Sequence, residues 1–465
     1  MSTSTFISIP LEIFLLILQH LPVSSLTTLE ATSKDIQNVI FAHEDVIYRS
    51  AYSLHGFLHS NPQSLTTLED IRAEHPQLFQ GDIGGWKTAC KKRFLLESSW
   101  SGDGPSSFKR HTATGERACR LKVDEKHGFI INSVCEGGLI VTDIHEPNRV
   151  LWSLGLDYMW PYSHIEYDNG YLAFSNRSRS FEIWRLATID EHNLYPYPPS
   201  VDLAQIRAYV NADTQHATEN GDTRGHFKPW ALLDFTPDDR RVRASRLVYP
   251  TFAAASCETV YLFDLPSSRL AGTIKNLGSS STAHRWISYV ELSERYVFVC
   301  WSGSMYAYRR PDVPDEAGEG FKGGECVFKL NPANHFGPWS MRVDALDPEN
   351  AWEGRGDAVM TRPGKVVLEE EYRLQPNIFS AVHATPDAST VVVAMDNGTC
   401  IIINDFLSVI RGEVDEGNTI VTIETGKDSS LLRYIAYDCV GDRFTVALVC
   451  TYSPMIVDAQ LRRRM

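Results

Sequence analysis

Aromatic, histidine and arginine side chains come together at three points of the sequence: Trp160-Pro161-Tyr162-Ser163-His164, His284-Arg285-Trp286, and the lone Arg433. Trp and Arg are frequent anchors of protein recognition. A guanidinium also suits phosphate or carboxylate, because its fork of N–H donors meets two oxygens at once. Trp160, His164, His284, Arg285, Trp286 and Arg433 are therefore the candidate substrate contacts. The competing reading is that the tryptophans pack between structural layers and the arginines cap loops. His164, His284, His335 and His383 each stand alone near the end of an apolar run. A fold that gathers distant residues around an axis could bring such side chains to one metal, but a lone histidine beside an aromatic is more often structural. The chain has no Gly-x-x-x-x-Gly-Lys-Ser/Thr, no His-Glu-x-x-His and no Gly-x-Ser-x-Gly. Gly320-Phe321-Lys322-Gly323-Gly324 lacks both the hydroxyl partner and the helical pattern of a phosphate loop. No catalytic residue, metal or cofactor is assigned.

The elements that must position these residues are short strands. From about residue 108 the texture changes to β-branched and aromatic runs separated by turn residues, in a recurring unit of strand, tight turn, more apolar strand, turn, and a third strand with a polar end. One copy runs through Trp286–Val290, Tyr296–Trp301 and Met305–Tyr308, a second through Phe379–His383, Thr390–Ala394 and Cys400–Asp405, and a third through Tyr434–Tyr437, Phe444–Val449 and Met455–Asp458. Asn397-Gly398 between two apolar runs is a strong hairpin signal. The third strand recurs as Ile140–Asp143, Ile183–Arg185, Tyr261–Asp264, Tyr306–Arg309, Ile402–Asp405 and Ile456–Asp458, whose acids are expected to fix tight turns. Three stretches break the period, at 189–229, 311–325 and 346–364, and read as loop insertions, which cost little because closure entropy grows slowly with length. A further unit could hide around Asp357 to Leu374. The last unit reaches only its third strand before the tail Arg462-Arg463-Arg464, so Arg117–Val123 is expected to supply its fourth and remove a free edge.

Ahead of the strands lies a helical segment. Ile13 to Leu18 is an unbroken apolar run just after Pro10, a residue suited to a helix start. A helix that is apolar all round must be covered on every side. Only two short helical patterns follow at once, one with Leu26 and Leu29 and one with Ile36, Val39 and Ile40. A unit of roughly 40 residues is near the lower limit for sustaining its own core, so the apolar surplus points to a partner protein. Leu65–Ala73 and Trp86–Phe94 form two more helical patterns, the second with Trp86, Cys90 and Phe94 on one face. Lys91-Lys92-Arg93 reads as a solvated face of that helix, with a nuclear signal as the alternative. Ser101-Gly102-Asp103-Gly104-Pro105 reads as a linker.

The N-terminal residues resemble the F-box motif: Pro10, Glu12-Ile13, Leu21-Pro22, Leu26 and Leu29, Ser33-Lys34, Val39-Ile40 and Tyr48-Arg49 fall in the family's order and spacing. Ile9, Ser25 and Ile36 stand where the family has leucine, an acid and tryptophan. The strand-rich part resembles the WD-repeat propellers, in which an apolar or aromatic residue precedes Asp at the closing strand and each repeat supplies four strands. Here only one of those ends carries Trp, and there Arg185 replaces the acid. The resemblance implies an α plus all-β multidomain chain: an F-box over 5–52, a helical linker over 53–100, and a six- to seven-bladed β-propeller over 108–465. It further implies a non-catalytic substrate receptor of an SCF-type ubiquitin ligase. Pro10, Leu11, Ile13, Leu21, Pro22, Leu26 and Leu29 would bind a Skp-type adaptor of the cullin ligase core, and the propeller an unknown protein substrate. The alternatives are an ordinary helical appendage on a propeller enzyme, a hydrolase or lyase whose ionisable residues converge on the channel, and an F-box scaffold without ubiquitin transfer.

Bulk properties bound these readings. The 465 residues suffice for two or three domains, and 43% hydrophobic with 22% charged residues describes an ordinary folded chain. A net charge of −14 argues against nucleic-acid and anionic-membrane partners. The apolar run is too short to cross a bilayer and lacks the basic leader of a secretory signal. Nine scattered cysteines without Cys-x-x-Cys suit reduced thiols in cytoplasm and/or nucleus. Asn176-Arg177-Ser178 and Asn397-Gly398-Thr399 match the glycosylation pattern but read as turns.

Overall fold

In the computed structural model the described residues are 9–55, 57, 67–74, 78–79, 84–100, 118–178, 180–189, 201–216, 223–233, 235, 242–256, 259–275, 277, 287–301, 304–314, 321–330, 339–343, 366–369, 379–395, 399–414, 419–424, 431–438, 443–449 and 454–459. The chain divides into two compact units, Met1–Phe108 with Asp438–Arg443 and Gln460–Met465, and Lys109–Tyr437 with Phe444–Ala459.

The first unit is helical: α1 (Leu11–Gln19), α2 (Val23–Glu30), α3 (Lys34–Ala42), α4 (Glu44–Leu54), α5 (Leu68–Glu74) and α6 (Trp86–Trp100). Pro10 and Pro22 sit at the N-caps of α1 and α2, just outside the first turn. Ser33 caps α3 by accepting the Ile36 N–H. Leu18, Leu26, Ile40, Ile47, Tyr48, Tyr52, Trp86 and Cys90 build the core. Glu30 ties its rim, accepting from Tyr48 Oη at 2.9 Å and from Lys87 Nζ at 2.8 Å. Burial, with the Glu30 carboxylate beside it, raises the Tyr48 phenol well above its ordinary range. The basic triplet of α6 departs from expectation. Lys91 is exposed, but the Lys92 ammonium lies 5.6 Å from the Phe79 ring centre, and Arg93 is buried with its guanidinium 5.5 Å from that of Phe57. The long stems of Lys and Arg cover apolar surface as readily as they reach water. Phe94, expected on the buried face, is exposed.

The second unit is a succession of antiparallel sheets of the propeller kind. The first contains β1 (Ala118–Asp124), β2 (Phe129–Val134), β3 (Leu139–Asp143) and β4 (Val150–Leu154). The second contains β5 (Ile165–Asp168), β6 (Tyr171–Ser175), β7 (Phe181–Leu186) and β8 (Phe227–Leu233). The third runs β9 (Ala244–Val248), β10 (Thr251–Ala255), β11 (Thr259–Asp264) and β12 (Arg269–Lys275), and the fourth β13 (Ile287–Leu292), β14 (Tyr296–Trp301), β15 (Ser304–Arg309) and β16 (Cys326–Leu330). After β17 (Trp339–Val343) and β18 (Val366–Glu369) comes the fifth meander, β19 (Phe379–Ala384), β20 (Thr390–Met395), β21 (Thr399–Asn404) and β22 (Ile420–Glu424). A three-stranded sheet, β23 (Leu431–Asp438), β24 (Arg443–Val449) and β25 (Pro454–Ala459), ends it. The first strands β1, β5, β9, β13 and β19 lie side by side in succession, so the sheets are arranged about an axis with their leading strands innermost.

Period-two alternation explains the packing. On β6, Leu172 and Phe174 enter the layer shared with the first sheet, around Trp152, Trp184 and Phe227, while Tyr171 and Ala173 enter the layer shared with the third. On β14, Val297, Val299 and Trp301 face the third sheet, and Tyr296, Phe298 and Cys300 face the fifth. A strand buried on both faces reads as a continuous apolar run, which is why β2, β10 and β14 are buried throughout.

All six repeated chain ends fall on the third strand of a sheet. The residue at that end tracks the loop that follows. Asp143 accepts the N–H of His145 and Glu146, and Asp264 that of Ser267, closing tight turns. Arg185 and Arg309 precede insertions and do something else. Arg185 lies 4.2 Å from the ring centre of Trp230, and buried Arg309 donates to the carbonyls of Arg295 and Pro314.

Three expectations about the strand-rich unit change. The segment 117–123 does not complete the last sheet; β1 is the inner strand of the first, paired to β2 through a four-residue turn in which Gly128 is left-handed (φ 72°). A local hairpin closes a far shorter loop than a partner at the other end of the chain. The 189–229 insertion contains α7 (Leu203–Gln215), started by an Asp202–Gln205 capping box. The expected extra unit near 357–374 supplies β18, which pairs with β17 on the outer edge of the fifth sheet. Between β21 and β22 lies a short helix, α8 (Phe406–Ile410). Residues 311–325 join β15 to β16. The 346–364 insertion, the linker at 101–105, the tail after Ala459 and the Asn397-Gly398 turn lie outside the described residues.

Candidate functional site

The inner strands enclose a cavity of about 610 Å³, lined by β1, by β5 with the preceding His164, and by β9, β13 and β19. Its lining residues come mostly from the first halves of these strands. A chain of alternating charges crosses four of the five strands. Lys122 Nζ on β1 lies 2.9 Å from Glu166 Oε2 on β5, and Arg246 on β9 brings a terminal nitrogen within 3.7 Å of the same oxygen. Arg246 Nε donates to Glu291 Oε1 on β13 at 2.7 Å. Glu291 Oε2 in turn lies 2.7 Å from His383 Nδ1 on β19, whose Nε2 is 3.3 Å from the Tyr289 hydroxyl. Beside this chain, Arg120 approaches His164 Nε2 at 3.1 Å.

The chemistry of the ring follows from these neighbours. Burial alone would raise the Glu291 carboxyl, but Arg246, His383 and the Leu292 N–H together hold it below the usual range. Burial also opposes the charge of Arg246, and the two glutamates overrule it. Burial raises the Tyr289 phenol. His164 is pushed down to about 4 by burial, with Arg120 adding to it, although its ring borders the cavity and is reached by solvent there. Since a guanidinium can only donate, Nε2 of His164 accepts and its proton sits on Nδ1. Proton transfer near neutral pH wants a group poised near 7, and Glu291 and His164 are both held well below that. Among the described residues no cluster of three or more His, Cys, Asp or Glu could hold a metal ion.

The loop before β5 leads into His164, which lines the cavity. Gly137 allows its course: at φ 108° it approaches so closely that a Cβ would lie 2.4 Å from the Met159 carbonyl. Met159 N–H donates to the Gly137 carbonyl at 2.7 Å. The chain then turns through Tyr162 in a left-handed conformation (φ 59°), held by a hydrogen bond from its N–H to Cys135 O. Trp160 and Tyr162 are left exposed, while Ser163 is buried. Of the sequence candidates, His164 is in the cavity and Trp160 is close to it in the chain. His284, Arg285 and Trp286 lie outside the described residues, and Arg433 falls on β23 with no described side chain. Lys122, Glu166, Arg246, Glu291 and Tyr289 were not candidates.

A second surface belongs to the helical unit. On α1, Leu18 is buried and Phe14 and Leu15 pack on the core, leaving Leu11 (46% exposed), Ile13 (50%), Leu16 (54%) and Ile17 (43%) uncovered. Of the expected adaptor contacts, Pro10, Leu11 and Ile13 are exposed, and Leu21, Pro22 and Leu29 are half-buried. Leu26 is fully buried; it supports the surface from beneath and is not part of it.

No family model and no curated protein matches the sequence. Among solved structures, the β-propeller domain of Cps50 (Swd1) from Myceliophteria thermophila superposes with a TM-score of 0.42 at 9% identity, covering 76% of this chain and 84% of that one. A chain of the Mitotic Checkpoint Complex gives 0.41 at 9%, covering 73% and 75%. Likeness this slight carries no argument, and the fold assignment rests on the sheets themselves.

Proposed function

We propose that this chain is a non-catalytic recognition adaptor: an F-box-type helical unit that docks a Skp-type subunit of a cullin ubiquitin ligase, joined to a propeller that holds a protein substrate. The observation that carries the first half is the row of uncovered apolar side chains on α1. Leaving four such residues about half exposed costs roughly 0.7–1.5 kcal/mol each relative to full burial, and a partner's apolar surface removes that cost. The F-box spacing of Pro10, Leu21-Pro22 and Ser33-Lys34 supports the family. On this reading the F-box occupies 5–52, a helical linker 53–100 and the propeller 108–465. The six sheets support the lower end of a six- to seven-bladed ring. The contribution to ubiquitin transfer would be proximity, raising the effective concentration of substrate near the transferring enzyme. Free thiols at Cys90, Cys119, Cys135, Cys300, Cys326 and Cys400 accord with a cytoplasmic or nuclear setting. The charged channel meets one condition of a propeller enzyme, but its paired carboxylates and depressed histidine favour binding over catalysis. The test is copurification. A Pro10→Ala, Leu11→Ala double variant should lose the Skp-type adaptor, since interface anchors commonly cost more than ~2 kcal/mol on truncation, while the propeller melts as before. Normal adaptor recovery would count strongly against it.

A further inference from the structure

The cavity lining carries three cations, Arg120, Lys122 and Arg246, and the carboxylate of Glu166, with Glu291 buried beside Arg246. Arg246 is the best-presented of the three. Its Nε is committed to Glu291, which fixes the plane of the guanidinium, and 3.7 Å to Glu166 is too long for a hydrogen bond. Among the described residues its two terminal nitrogens have no hydrogen-bonded partner. Lys122 spends one of its three N–H donors on Glu166. A fixed guanidinium face with an ammonium nearby, in a cavity bounded by protein on its sides, matches a planar monoanion.

We propose that the mouth of the channel seats a carboxylate of a partner polypeptide, received by the terminal nitrogens of Arg246 with Lys122 beside it. This deepens the propeller half of the proposed function and rests on it. With the Glu166 carboxylate only 3.7 Å from the Arg246 guanidinium, the seat suits a singly charged carboxylate better than a doubly charged phosphate, which would crowd Glu166. About 610 Å³ lies within the range of pockets that enclose whole ligands, far more than a free small acid fills, and exposed Trp160 and Tyr162 offer apolar contact to a chain as it enters. The carboxylate can be a chain terminus or an Asp or Glu side chain; the chemistry is shared.

The test uses the full chain, immobilised, and three pools of N-acetylated hexapeptides of randomised sequence: one with a free C-terminal carboxylate, one with a C-terminal carboxamide, and one carboxamide pool carrying phosphoserine. The free-carboxylate pool should be retained at least tenfold better than the carboxamide pool, and Arg246→Lys, which keeps the charge but not the fork, should abolish the difference. Lys122→Gln should weaken it in the same direction and guards against a folding defect at Arg246. Retention of carboxamide peptides containing Asp or Glu, lost in both variants, would assign the carboxylate to a side chain. Preferential retention of the phosphoserine pool, retention indifferent to both substitutions, or no retention at all would overturn the proposal. Adaptor copurification from the same preparation separates the two readings: adaptor bound without peptide sinks the carboxylate seat alone, and peptide bound without adaptor sinks the docking of α1 alone.

Discussion

On the proposed reading the first helix and the channel mouth serve recognition in opposite ways. On α1 the exposed side chains Leu11, Ile13, Leu16 and Ile17 are apolar, with Ile13, Leu16 and Ile17 sharing one face, and all four are close in sequence. At the channel the groups are charged, come from strands far apart in the chain, and hold one another in place through Glu166 and Glu291. An apolar face gains from burial roughly in proportion to area and sets few angular demands. A charged ring gains only when its geometry is kept, because buried ions are costly unless paired. The helix should therefore fail when its apolar area is truncated or charged, and the channel should fail whenever the geometry of its ion pairs is lost, even with the charge kept.

The largest expected effect tests what holds the channel up. Trp184 is fully buried between the first two sheets against Trp152, their ring centres 5.6 Å apart. Trp184→Ala should cost about 3–5 kcal/mol, read as a lowered urea midpoint of the strand-rich unit, with adaptor copurification unchanged. A shift below about 1 kcal/mol would mean the layers between sheets do not carry the stability argued for them.

Acid should separate the two regions next. The folded His164 titrates at about 4 and the unfolded one near 6.5. Between those values the unfolded chain binds a proton that the folded chain refuses, so stability falls as pH drops through that window. Glu291 acts lower: its depressed carboxyl contributes stability above the ordinary glutamate range that is lost as pH falls through its folded value. Urea midpoints from pH 7 to 4 should decline in the parent and decline less in His164→Gln. Equal slopes would remove His164 from the account.

Much of the strand-rich unit is legible from sequence, and for a local reason. Third strands such as Tyr261–Asp264 announce themselves because their last residue makes a turn with its immediate neighbours. Middle strands such as Tyr296–Trp301 do so because burial on both faces demands an unbroken apolar run. The channel is not legible this way. Lys122, Glu166, Arg246, Glu291 and His383 look like ordinary polar members of alternating strands, and nothing near them in sequence reveals that they face one another. A charged or histidine residue in the first strand of every repeat was the available signal. Helix α7 was hidden by a different cause: Pro, Asn and Asp around it read as loop, although Asp202, Gln205 and the spacing of Leu203, Ile206 and Val210 mark a capped helix. The closing strand is not legible either, because β1 pairs with its neighbour β2 through a short turn, which costs far less closure entropy than a partner at the other end of the chain.

The smallest effect on stability is the sharpest test of the contrast. Leu16→Lys with Ile17→Lys should change the melting of the helical unit by no more than about 0.5 kcal/mol, since both side chains already face solvent. The same pair should remove the adaptor from copurification. Adaptor binding that survives two charges on this face would shift docking to another surface of the unit.

The parallel pairing of β17 with β22 sets the order of synthesis against the order of assembly. Trp339–Val343 leaves the ribosome before any strand of the meander it will cover, and its partner Ile420–Glu424 is that meander's last strand. Pairing between distant segments waits on loop closure, so the early strand must idle while four later ones are made. During translation the hairpin of β17 and β18 therefore offers an open edge to other nascent chains. A message truncated just after Asp405 would leave that edge permanently bare, which makes premature termination in this stretch more hazardous to the cell than loss of the activity alone.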